Sequence, residues 1–319
     1  MYYYTREPSP SSSSEEAPRM NGNLTTKEHP KDDRFVVGGS KLLTADVCEE
    51  LRNSEAVGAV IRDMRDREDG ICRQMASADP AQIRAACQRR IAAHVPGSGL
   101  DELCCAGEGA LDSHSFAQAV YNLPRTPANA RQRRIARELA RSLALVDGPG
   151  ITVPESVDDF RRLWEEANDG EPRWSPDFPS STFRTKTSAI ITSVFEKKVV
   201  QVSTHHDNVQ AELAQLASFL ADGALASEVR AACGFLSLEF THPFGDGNGH
   251  TGRMLLLSMM QGRYSLPTLL CFAEELTLGR LKASHQFALI RSGEHSVADF
   301  CHAMLAYLSE AQEGAEVLC

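Results

Sequence analysis

"HPFGDGNGHTGR", residues 242–253, is the stretch from which the rest of the chain is read. Four glycines, an Asp, an Asn, two His and an Arg crowd into twelve positions. The apolar runs "ACGFLSLEF" (232–240) and "MLLLSMM" (254–260) flank it and read as buried helices. The stretch is then the end of one helix and the start of the next. A helix N-terminus offers N–H groups without intrahelical acceptors and a partial positive charge. Glycines let those amides close around an anion, so "GDGNGHTGR" reads as a phosphate cradle opening a helix. It lacks the Lys-Ser/Thr pair of a Walker loop, and a helix rather than a strand precedes it, against a dinucleotide fingerprint.

The side chains around the cradle suit a bound nucleotide. Asp246 offers a carboxylate to Mg²⁺, a hard cation that prefers oxygen donors. Arg253 falls near the start of the second helix and can reach a terminal phosphate in bidentate fashion. His242 precedes the cradle and can take a proton from an attacking hydroxyl near neutral pH. Base, metal ligand, anion nest and cation together point to phosphoryl or nucleotidyl transfer.

Composition narrows the setting. The 319 residues are 42% hydrophobic and 24% charged, ordinary for a globular protein with a real core. A net charge of −10 argues against a broad nucleic-acid footprint, so no nucleic-acid partner is expected. No apolar run reaches the roughly 18–20 residues that cross a bilayer, and no membrane partner is expected. Nine cysteines, an odd number without a C-x-x-C pair, read as free thiols of a reducing compartment. With no signal pattern in "MYYYTREPSPSSSSEEAPR", the expected location is cytoplasmic, with a specialised effector route left open.

The pattern along the chain is mainly α. Residues 1–33, rich in Ser, Pro and charge, read as a disordered tail. Residues 34–108 read as an N-terminal helical region, with Thr44 capping one long helix over "ADVCEELRNSEAVGAVIRDMRD" and Pro80 opening another. The Gly-rich "PGSGLDELCCAGEGALD" is the candidate boundary to a domain over 109–319. There the Arg-rich "ANARQRRIARELARSLALV" reads as a helix with a solvated basic face. "TFRTKTSAIITSVFEKKVVQVST" reads as two short strands turning at "EKK". Further helices run to the C-terminus.

Residues 242–253 resemble the Fic family signature, H-P-F-x-D/E-G-N-G-R-x-x-R, matching eight of its nine specified positions with unchanged spacing. The order of strand pair, helix and motif is similar to that family's β-hairpin flap ahead of its motif. The resemblance implies a Fic-type helical bundle with the flap beside the active-site loop. It implies transfer of AMP from ATP, with Mg²⁺, to a Ser, Thr or Tyr hydroxyl of a target protein, which can be the chain itself. In that reading His242 is the general base and Asp246 binds the Mg²⁺ that bridges the α- and β-phosphates. Asn248 and the amides of Gly247 and Gly249 hold phosphate oxygens, Arg253 holds the γ-phosphate, and Phe244 anchors the loop.

His250 departs from the family, which places its first Arg there to hold the β-phosphate. A shorter, mostly neutral imidazole weakens that contact or marks another donor, since some members transfer UMP, GMP or phosphocholine. Two other readings stand beside AMP transfer: removal of the modification, and a non-catalytic nucleotide-binding or interaction module. Many members also carry an inhibitory S/T-x-x-x-E-G/N helix whose Glu pairs with the second motif Arg. Ser309-Glu310-Ala311-Gln312-Glu313-Gly314 fits that pattern, so Glu313 is expected against Arg253.

Overall fold

In the computed structural model, the described residues are 2–3, 42–104, 111–124, 126, 129–168, 182–186, 189–191, 199–278 and 280–318. They are mainly helical, as expected. The tail read as disordered lies outside them except for β1 (Tyr2–Tyr3), a two-residue strand. Thr44 caps α1 (Ala45–Asn53) by accepting from the Val47 N–H, at 3.4 Å. The single long helix read here is in fact two. The backbone is extended at Ser54, whose hydroxyl caps a fresh helix, α2 (Glu55–Met75), through Val57 N–H. α3 (Pro80–Ala92) begins at its proline, behind an Asp79 cap. α4 (Leu100–Leu103) follows, and residues 105–110 of the Gly-rich connector lie outside the described residues.

Then come α5 (Ser113–Tyr121), α6 (Ala130–Val146) and α7 (Val157–Asn168). β2 (Ala189–Ile191) pairs antiparallel with β3 (Val199–Val202), and β1 pairs antiparallel with the other edge of β2. The turn expected at "EKK" lies outside the described residues. A 3-10 turn leads into α8 (Val209–Leu220), α9 (Ser227–Thr241), α10 (Asn248–Met260), α11 (Leu266–Leu278), α12 (Arg280–Ser292) and α13 (Val297–Glu316). No helix among the described residues is long and apolar enough to cross a membrane.

α9 is the axis. From Ala231 to Thr241 every residue is buried, which is why its sequence is apolar on all sides rather than striped. It packs on α8, α10 and α13, and α10 packs in turn on α6, α7 and α11. The helices of the N-terminal region join the same core, α2 along α13 and α3 against α6 and α11. Glu68 of α2 fastens that seam: its buried carboxylate accepts from Ser265 N–H (2.7 Å), Thr268 Oγ1 and Gln312 Nε2. These contacts hold α9 and α10 side by side, with the polar stretch joining them at one end.

Close approach of α9 and α10 depends on Gly252. A Cβ there would meet the Phe235 ring at 2.8 and 3.0 Å. Ala in place of helical Gly gains about 1 kcal/mol of propensity, while overpacking costs about 1–3 kcal/mol. Gly252→Ala is therefore expected to destabilise on balance, and Gly58→Ala, whose Cβ finds only a 3.5 Å contact with the Arg62 end, to stabilise. Denaturant midpoints check this; a stabilised Gly252→Ala protein would contradict the packing described.

Candidate active site

His242 closes α9 in the left-handed conformation, φ 51° and ψ 59°, the only described non-glycine residue with positive φ. That backbone costs an L-residue about 1–2 kcal/mol, so its surroundings must hold it there. The His242 N–H donates to Leu238 O (2.8 Å). Arg184 donates from Nε to His242 O (2.6 Å) and from Nη2 to Thr241 O (3.1 Å), and its own N–H donates to Pro243 O (2.9 Å). The side chain is 1% exposed. Burial, and then the Arg184 charge, push the imidazole pKa down to about 3, while a hydrogen bond with the Glu239 main chain acts the other way. His242 is thus neutral at physiological pH, the state a proton acceptor requires.

The next residues are clamped from below. Phe244 is buried between the Trp164 and Phe183 rings, at centroid distances of 5.8 and 5.5 Å, and an isolated β-bridge joins Phe183 to Phe244. Asn248 was expected to hold a phosphate oxygen, but its side chain is committed elsewhere. Oδ1 accepts from Phe244 N–H (2.9 Å) and Nδ2 donates to Phe244 O (2.8 Å), which closes the loop on itself. The first-turn amides of α10, at Asn248 and Gly249, have no acceptor within their own helix.

Gly247, the N-cap of α10, has φ 79°. A Cβ there would strike Asn168 Oδ1 at 2.6 Å and Trp164 Nε1 at 2.7 Å, so only glycine fits. Trp164 Nε1 donates to Asp246 O (2.7 Å), and Asn168 Nδ2 donates to Trp164 O and Thr251 Oγ1. α7 thereby fixes the backbone of Asp246, a half-buried residue with one carboxylate oxygen, Oδ2, shielded from solvent.

His250 and Arg253 both turn toward α6. Glu138, 9% exposed, lies 3.4 Å from His250 Nε2 through one oxygen and 3.3 Å from Arg253 Nη2 through the other. The expected Glu313–Arg253 pair does not form. Glu313 points outward on α13 and meets Arg67 at 3.6 Å with most of its side chain exposed, because α13 lies along α2 rather than over the loop. Ser309, the other member of that pattern, is half-buried on α13.

Sequence reasoning missed Glu138, Trp164, Asn168 and Arg184. The solvated basic face assigned to α6 is only partly so: Arg131 and Arg134 are exposed, but Arg141 is buried, donating to Ala167 O (2.7 Å) and Tyr121 OH. Glu138, a lone acid among arginines on a helix with an apolar stripe, was the available signal. The His205 and His206 rings lie tilted to one another, centroids 4.2 Å apart, beside Asp207, a partly exposed cluster of three consecutive residues.

Burial of a neutral His242 makes stability pH-dependent. As pH falls below about 6.5 the unfolded chain takes up a proton that the folded one refuses until about pH 3, so stability is lost across that window. Between pH 7 and 4.5 the parent should lose about 2 kcal/mol more than His242→Asn, a residue that tolerates the left-handed turn. Urea unfolding at the two pH values measures the difference; equal losses would show that His242 protonates freely in the fold.

Residues 162–260, which contain the loop, match the model of the Fic/DOC family. No curated protein sequence matches the chain. Among solved structures, a Fic family protein from Desulfovibrio desulfuricans G20 shares the fold at a TM-score of 0.53 and 17% identity, over 82% of this chain and 74% of that one. A Fic domain containing signaling protein from Bacteroides thetaiotaomicron VPI-5482 aligns at a TM-score of 0.44 and 14% identity, over 82% of this chain and 97% of that one. The chain therefore carries a Fic/DOC family match across its loop-bearing segment, within a helical fold similar to that of the D. desulfuricans Fic family protein.

Proposed function

We propose that the protein transfers AMP from ATP to a hydroxyl side chain of a protein, which can be another copy or itself. The observation that carries this reading is the junction itself. A buried, neutral imidazole ends α9, and six residues later the amide-bearing end of α10 begins, with Arg253 near its start. His242 takes the proton of the attacking hydroxyl as its oxygen bonds to the α-phosphorus, and pyrophosphate leaves. The first-turn amides of α10 face the phosphate oxygens and Arg253 receives the far end of the chain. A bound polyphosphate also places negative charge near His242, raising its pKa toward a useful range. Asp246, a single half-buried acid in the loop, suits Mg²⁺, which is held by one or two carboxylates with phosphate and water oxygens. When bound there, Mg²⁺ would neutralise charge on the phosphates.

Glu138 supports a restrained ground state. Its carboxylate occupies both Arg253 and His250, in a pair far less screened than one on an open surface. A nucleotide must displace it, so the brake once expected from Glu313 is assigned here to Glu138. His250, engaged by that same acid, also favours a second reading within the chemistry: a donor other than ATP, carrying UMP, GMP or phosphocholine.

Labelled ATP, UTP, GTP and CDP-choline, each with Mg²⁺, test both readings. ATP is expected to label protein, and His242→Asn to lower labelling by about 100-fold or more while nucleotide affinity stays within about threefold. Full labelling by His242→Asn would remove the mechanism; labelling from another donor alone would select the second reading. Glu138→Gln, which keeps the shape and removes the charge, should tighten ATP binding about tenfold by titration calorimetry. Unchanged affinity would remove the brake.

A further inference from the structure

Arg184 takes no part in the chemistry above, yet it is bonded to the base's own backbone. It is 8% exposed and lies between Phe183, which bridges to Phe244, and the strand pair β2–β3. Nε donates to His242 O at 2.6 Å, Nη1 to Lys186 O at 2.8 Å, and Nη2 to Thr241 O at 3.1 Å and to Thr204 O. Four main-chain carbonyls from three segments converge on one guanidinium. Two belong to the end of α9; Lys186 precedes β2 and Thr204 follows β3. Burial lowers the guanidinium pKa to about 10, with Glu212 acting to raise it, so the group is charged at neutral pH. Glu212 Oε2 accepts from Thr204 Oγ1 (2.7 Å) and Thr241 Oγ1 (3.0 Å), tying the same two segments a second time.

An apolar side chain of similar length would fill this space without the cost of burying a charge. A planar fork of donors does something that such a chain cannot: it fixes several carbonyl oxygens at once. The two carbonyls of α9 carry the negative end of the helix dipole and, past a left-handed cap, need such a donor. We infer that Arg184 is a positioning residue: it holds His242 in the left-handed turn that aims the imidazole, and it ties that turn to the feet of both strands. The structural half stands by itself; its consequence for rate rests on the transfer reading proposed above.

The test uses Arg184→Met and Arg184→Lys in the full chain. Arg184→Met should fold with a melting temperature about 5 °C lower, and Arg184→Lys, which keeps the charge but not the fork, should recover part of that loss. In crystal structures of both, His242 should leave the positive-φ region. Its amide, bonded to Leu238 O here, should exchange about tenfold faster or more relative to Leu236 at the centre of α9. If Arg184→Met does not fold, Arg184→Lys carries these readouts. A retained left-handed His242 with unchanged exchange would overturn the inference, whatever the activity. In transfer assays, each variant should lose about tenfold or more in rate with ATP affinity within about threefold. Adding His242→Asn to either should lower the rate no further than His242→Asn alone, because two residues acting as a unit are not additive. Additive losses would reduce Arg184 to a general fastener and overturn it too. A parent without transfer would fail the proposed function only, leaving the turn and exchange readouts to decide the role of Arg184.

Discussion

The left-handed turn at His242 is the constraint on which the rest of the site depends. A helix as apolar as α9 cannot end inside the core without partners for its last carbonyls. Arg184 supplies two of those partners, and the reversal sends the chain into the loop that opens α10. The loop then closes on itself through Asn248 and Phe244, and α7 braces it through Trp164 and Asn168. His242 and the start of α10 are thus set by one short, hydrogen-bonded segment. Preorganisation of this kind moves the cost of ordering from the reaction to folding.

Charge around the segment is balanced on its two sides. Toward the strands, burial and then the Arg184 cation keep the imidazole neutral; toward α6, Glu138 answers Arg253 and His250. In the proposed reaction a polyphosphate replaces the Glu138 carboxylate as partner of Arg253. The exchange of one anion for another costs less than exposing an unpaired buried cation, so the Glu138 contact protects Arg253 without forbidding the ligand.

Much of this was legible in the sequence, for a physical reason. Glycine at 247, where nothing larger fits, and a polar joint between two largely apolar runs are local features, and local features can be read from spacing. The mainly helical architecture, the strand pair and the start of α10 near the motif follow from periodicity and β-branching. Ser54 was not legible as a break, because helical periodicity continues across it and only its capping bond reveals the stop. The Glu313–Arg253 pair was misread because a short pattern at a helix end says nothing of which face that helix presents; α13 turns Glu313 toward Arg67. Glu138, Trp164, Asn168 and Arg184 act on the loop from 58 to 115 positions away in the hydrogen bonds they make, and such distances are set only by tertiary packing.

The most direct measurement is a crystal structure with Mg²⁺ and a non-hydrolysable ATP analogue. The account predicts phosphate oxygens within hydrogen-bond reach of the Asn248 and Gly249 amides, Arg253 on the terminal phosphate with Glu138 displaced from it, and the His242 turn unchanged. An analogue bound away from the first turn of α10, or saturating the protein while the Glu138–Arg253 pair stays closed, would contradict it.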